Sequence, residues 1–212
     1  MAGARFGMRA RVKSKNWAPR DEGFSLLELL VVVAIIIIIT GMASVAFIRV
    51  LPSMRANGAM QLMQSQLRQA RETSIDQRRY VTVTFQGTNE MVTTEYSNPG
   101  VNNNTTQLSD FLLPYGMIYT VFTGVPNTPD SFGNTSSAVN FCSTLPCTIT
   151  FQSDGTVLLN CSFSNGNCTG GTYTNGTVFM GISGQTYTAR AVTILATTGR
   201  IRAYQYTGTV WY

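Results

Sequence analysis

The sequence predicts an α+β protein in which a long N-terminal helix, transmembrane over its first half, packs on a C-terminal antiparallel β-sheet head. Three observations predict it. Twenty uncharged, mostly apolar residues run from Leu29 to Ile48. A helical stripe follows, with Met60, Met63, Leu67 and Ala70 recurring at spacings of three and four. Beyond residue 79 the pattern changes to short alternating segments rich in Thr, Val, Ser, Asn and Gly.

The apolar run comes first. At 1.5 Å rise per residue it makes about 30 Å of helix, the thickness of a bilayer core. A secretory h-region is only about 7 to 15 residues long and ends at a small-residue cleavage site. This run is longer and has no such site at its far end, so it is expected to stay in the chain. Six basic residues (Arg5, Arg9, Arg11, Lys13, Lys15 and Arg20) precede it against two acids, Asp21 and Glu22. By the positive-inside rule that leader stays cytoplasmic and the chain beyond Arg49 is exported. The overall charge of +5 therefore belongs to the leader: from Phe24 onward nine arginines face eight acids. Within the remainder, residues 155–212 hold no acid but include Arg190, Arg200 and Arg202.

The helix is expected from about Ser25 to about Gln77, with bends possible at Gly41, Pro52 or Gly58. After it, Tyr80 to Phe85 alternates as a strand with Val81, Val83 and Phe85 on one face. Gly87-Thr88-Asn89 reads as a turn and Met91 to Tyr96 as the next strand. Residues 98–106 read as a polar loop, Leu112 to Phe122 as a returning strand, and the stretch through Pro126, Pro129 and Gly133 as a second loop. Further strands are expected at Cys147–Phe151, Thr156–Leu159, Thr177–Ile182, Tyr187–Ala196 and Arg200–Tyr206. The organisation is thus 1–23 leader, 24–52 transmembrane helix, 53–78 amphipathic helix and 79–212 exported head.

There is no histidine, and no lysine after Lys15. The commonest general base and metal ligand are missing, and with them every Ser-His or Cys-His pair. No spaced pair of carboxylates replaces them. The expectation is a protein that is not an enzyme and uses no cofactor.

Glu28 stands at the start of the apolar run, and an ionised carboxylate inside a bilayer costs at least about 2–3 kcal/mol without a partner. Cleavage between Gly23 and Phe24 would create one, because the new α-amine of Phe24 lies one helical turn from Glu28. It could equally meet Glu28 of a neighbouring copy.

The stretch GFSLLELLVVVAI, residues 23–35, resembles the N-terminus of type IV prepilins and type II secretion pseudopilins. The resemblance implies cleavage after Gly23 by a membrane prepilin peptidase and N-methylation of Phe24. It also implies pairing of Glu28 with the Phe24 amine of an adjacent subunit during assembly. QARETSIDQRRYVTVTF (69–85), ITFQSDGTV (149–157) and AVTILATTGRIRAY (191–204) resemble the GspH/FimT branch of minor pilins and pseudopilins. The implied partners are other pilin or pseudopilin subunits and an inner-membrane assembly platform. The implied location is the bacterial inner membrane, then a pilus or pseudopilus filament. The favoured reading is a minor pilin of a type IV pilus; the alternative is a minor pseudopilin of a type II secretion system.

Two features of the head remain. Cys142, Cys147, Cys161 and Cys168 lie in the exported part, where disulfides form, and allow three pairings. A four-cysteine zinc site is the rival, but its ribbons usually show C-x₂-C pairs, whereas the gaps here are four and six residues. Arg200, Arg202, Tyr204 and Tyr206 share one strand face, with Ile201 and Ala203 on the other. Two guanidiniums grip phosphates and tyrosines stack bases, so this face is a candidate DNA-binding surface, with Arg190 joining from an adjacent strand; the alternative is that these arginines form ordinary surface ion pairs or packing contacts between subunits. In FimT-type minor pilins a C-terminal Gly-Arg-x-Arg motif is associated with DNA uptake, and residues 199–202 are similar to it.

Overall fold

The structure is a computed structural model describing residues 23–97, 104–133 and 137–212. It divides into two units, the first ending at residue 45 and the second spanning 46–212; of the leader expected at 1–23, residues 1–22 lie outside the described residues.

Helix α1, Leu26–Gln77, begins where Ser25 Oγ accepts the backbone N–H of Leu27 at 3.2 Å, a short polar cap ahead of the apolar run. In the first unit, Leu26–Ser44 is long and apolar enough to cross a membrane, and none of it is buried within the chain. Its two hydroxyls are satisfied internally: Thr40 donates to the Ile36 carbonyl at 2.7 Å and Ser44 to the Thr40 carbonyl at 2.8 Å. Only such internal bonding is tolerable in hydrocarbon.

The second unit is the head with the outer part of α1. The helix continues through Pro52, which supplies no N–H to the preceding turn. Ala56, Ala59, Met63, Leu67 and Ala70 are buried in one core with strands of both sheets. Alanines at the first two positions let the helix backbone approach closely. Met63 and Leu67 each contribute about 1.5–3 kcal/mol of apolar burial. The helix ends at Arg78, whose φ of 53° is left-handed, and Arg79 N–H reaches back to the Ser74 carbonyl at 3.1 Å. That six-to-one bond is the Schellman closure.

Eleven strands follow among the described residues: β1 Val81–Gln86, β2 Glu90–Tyr96, β3 Thr105–Leu112, β4 Ile118–Tyr119, β5 Cys147–Phe151, β6 Val157–Leu159, β7 Ser162–Ser164, β8 Asn167–Thr169, β9 Gly176–Gly181, β10 Arg190–Leu195 and β11 Arg200–Gln205. Every pairing is antiparallel. The first sheet has the order β3-β2-β1-β5-β6, the second β11-β10-β9-β4, and β7-β8 is a separate hairpin. The fold is the expected α+β, an N-terminal apolar helix followed in the chain by an antiparallel head.

Several elements differ from expectation. The strand expected over Leu112–Phe122 shrinks to β4, because Pro114 lacks an N–H and Tyr115 and Gly116 take φ of 62° and 73°. The strand before it, β3, starts inside the expected polar loop. It is an edge strand exposed along most of its length, so it carries no apolar alternation. The segment Thr186–Thr188 is a 3₁₀ turn, which delays β10 to Arg190. The β7-β8 hairpin was not anticipated.

Of the three cysteine pairings, the structure has the local one: Cys142–Cys147 and Cys161–Cys168. The second closes the β7-β8 hairpin, and Phe163 on that hairpin stacks on Tyr96 at 3.6 Å between centroids.

Candidate functional site

The first candidate is the start of α1. Gly23 stands free, with no atom within 4 Å of where a Cβ would sit, and Phe24 is 82% exposed. The Gly23–Phe24 bond therefore precedes the helix in an accessible segment. Glu28 lies in the first helical turn, where four N–H groups lack intrahelical partners and the helix dipole favours negative charge.

The second candidate is the outer face of β11. Arg200, Arg202 and Tyr204 do align, opposite Leu195, Thr193 and Ala191 of β10. Ile201 points into the core and Ala203 packs against it, as the alternation requires. What the arginines meet is a carboxylate, the ion-pair alternative. Asp130, from the loop through Pro126 and Pro129, lies over this face with its side chain only 8% exposed. Its Oδ1 accepts from Arg200 Nη2 at 3.2 Å and from Arg202 Nη1 at 3.3 Å. Its Oδ2 accepts from Thr193 at 2.6 Å and from the Tyr204 hydroxyl at 3.0 Å. Arg202 is held above the ordinary guanidinium value, first by its bond to the Tyr204 hydroxyl and further by Asp130. One carboxylate thus fastens a loop to three residues of β11. Nothing in the sequence near Asp130 marked it, since the contact spans 70 residues or more.

Three of the five residues expected on a DNA-binding surface are corrected. Arg190 is fully buried. Its Nε donates to Asn57 Oδ1 at 2.6 Å and Nη2 to Ser53 Oγ and carbonyl at 3.0 and 3.2 Å. Its Nη1 donates to the carbonyls of Ala189 and Tyr187 at 2.8 and 3.2 Å. Burial pushes its guanidinium down to about 10. Arg190 is a clamp between the second sheet and α1. Tyr204 and Tyr206 are buried as well, packed with Phe179 and Trp211. Their rings offer no open face on which a base could stack. Arg200 and Arg202 remain half exposed.

Gly199 has a structural reason to be glycine. Its φ is 60°, and a Cβ there would collide with the backbone carbonyl of Gly155 and with the Arg71 side chain. Arg71 in turn donates to the carbonyls of Gly155 at 3.2 Å and Thr198 at 3.1 Å. The turn before β11, the turn before β6 and the helix meet at this point.

Residues 19–44 match the model of the prokaryotic N-terminal methylation motif. No curated protein matches the chain significantly. Among solved structures, the type IV minor pilin FimU of Pseudomonas aeruginosa (strain PAO1) is similar at 15% identity and TM-score 0.41, over 69% of this chain and 85% of that one. The minor pseudopilin EpsH from the type 2 secretion system of Vibrio cholerae is similar at 16% identity and TM-score 0.43, over 73% of this chain and 97% of that one. At such identities and TM-scores neither likeness bears on function.

Proposed function

We propose that the chain is a minor filament subunit of the pilin and pseudopilin class, of the GspH/FimT type, held in the membrane and then in a filament by α1. The observation that carries this reading is the N-terminal methylation motif, residues 19–44, on an accessible helix start. A prepilin peptidase cuts between Gly23 and Phe24 and methylates the new amine. Glu28 then pairs with the Phe24 amine of a neighbouring subunit, which removes the cost of a lone carboxylate in the bilayer. The basic leader keeps the N-terminus on the cytoplasmic side of the inner membrane, and an assembly platform there receives the processed chain. The head is displayed outside, its fold secured by two disulfides suited to an oxidising compartment.

The role is structural, with no catalytic step. The narrower reading, DNA capture in a type IV pilus, keeps only Arg200 and Arg202 of its five residues at the surface, and Asp130 already holds both. The filament role is therefore the better supported.

Glu28→Ala tests it. Mass spectrometry of the membrane fraction should find the chain beginning at Phe24, while sheared filaments should lack the subunit. Normal incorporation of the variant would remove the amine-pairing step from this reading.

A further inference from the structure

A pocket of about 280 Å³ opens where the exposed face of α1 meets the start of β11, lined by Arg68, Arg71, Glu72, Gly199, Arg200 and Ile201. Three guanidiniums face it against one carboxylate. Two of them are held in place. Arg71 is fixed by the carbonyls of Gly155 and Thr198 through Nε and Nη2, which leaves its Nη1 uncommitted. Arg200 is tethered by Nη2 to Asp130 on its other side, leaving Nε and Nη1. Arg68 is exposed on the helix one turn before Arg71 and makes no ion pair among the described residues. The floor depends on Gly199, because a Cβ there would displace the Arg71 side chain.

We propose that Arg68, Arg71 and Arg200 form a binding pocket for a small oxyanion, a carboxylate or a phosphate group. Guanidinium N–H groups bond the oxygens of both groups, and Arg71 and Arg200 are already tethered by bonds inside the head while keeping other N–H groups to donate. Ordering them again costs little on binding. Glu72 sits at the same pocket and opposes an anion, so it sets the affinity from the other direction. Arg202 takes no part, since it lies outside the pocket on the Asp130 side.

The test is a titration of the full chain in neutral-detergent micelles, following the arginine Nε–H NMR signals at constant ionic strength. One arm uses inorganic phosphate and the other glutarate, with chloride as the reference. The Arg68, Arg71 and Arg200 signals should shift saturably. The arm that saturates at lower concentration identifies the group the pocket takes. Arg68→Gln should weaken binding at least about fivefold, because a charged hydrogen-bond partner is lost from an exposed site where the fold does not need it. Glu72→Gln should tighten it about twofold to threefold, and Arg55→Gln, outside the pocket, should leave it unchanged. Unsaturable drift equal to that in chloride would overturn the proposal. So would equal weakening by Arg68→Gln and Arg55→Gln, which would mark general charge attraction.

Discussion

Arg190→Met separates a buried clamp from a surface charge. The methionine keeps most of the apolar stem but removes five hydrogen bonds, to Asn57, Ser53 Oγ and carbonyl, Tyr187 and Ala189. Hydrogen bonds to a charged group contribute about 1.5–3 kcal/mol each. Much of that is offset by the several kcal/mol needed to take the guanidinium out of water. The same desolvation is what pushes Arg190 down to about 10. What remains after substitution is a set of mostly half-buried neutral acceptors that each lose one donor, so the net loss should be about 3 kcal/mol. For a head of this size that is about 6–12 °C in Tm. The reference is Arg200→Met, which removes one ion pair from a side chain that is 43% exposed and should cost under about 1 kcal/mol. Urea unfolding of the full chain in micelles, read by near-UV circular dichroism, supplies both values. Trp211, buried against Tyr206 with its indole N–H on the Pro126 carbonyl at 2.8 Å, reports the second sheet by fluorescence. Equal costs for the two substitutions would refute the clamp. An Asn57→Ala background should reduce the cost of Arg190→Met by about 1 kcal/mol, because the two losses share one bond.

Other outcomes follow from the same geometry. Gly199→Ala forces a side chain into left-handed backbone and against the Gly155 carbonyl; it should cost about 2–4 kcal/mol, visible as a lowered urea midpoint. Asp154 is held below the ordinary carboxylate range by the Thr156 hydroxyl and then its backbone N–H, at 2.6 and 2.9 Å. A lowered folded value favours the ionised form, so its contribution is present above about pH 3.9 and is lost as pH falls through the folded value. Asp154→Asn should flatten that part of an acid titration of stability, and an unchanged slope would assign it to other groups. Gly23→Ala should leave a full-length precursor in the membrane, detectable by intact mass, and a chain still beginning at Phe24 would move the cleavage site.

The sequence alone determined the elements whose environment is local or uniform. The span is legible because a bilayer demands an unbroken apolar run, and the outer helix because its buried stripe recurs at the helical period. The pair β1 and β2 is legible because Val81, Val83 and Phe85 alternate before a glycine turn and are all fully buried. The methylation motif is legible because it is one contiguous stretch of chain. Edge strand β3 was hidden because a strand exposed along most of its length needs no apolar alternation. Only the tertiary structure decided what the arginines do. Arg190, Arg200 and Arg202 look alike as residues in two neighbouring strands. One is buried against helix residues 133 and 137 positions away, and the others close on a loop carboxylate 70 and 72 positions away. Burial and pairing of a charge depend on which distant groups the fold brings within hydrogen-bond reach, and no local pattern encodes that distance.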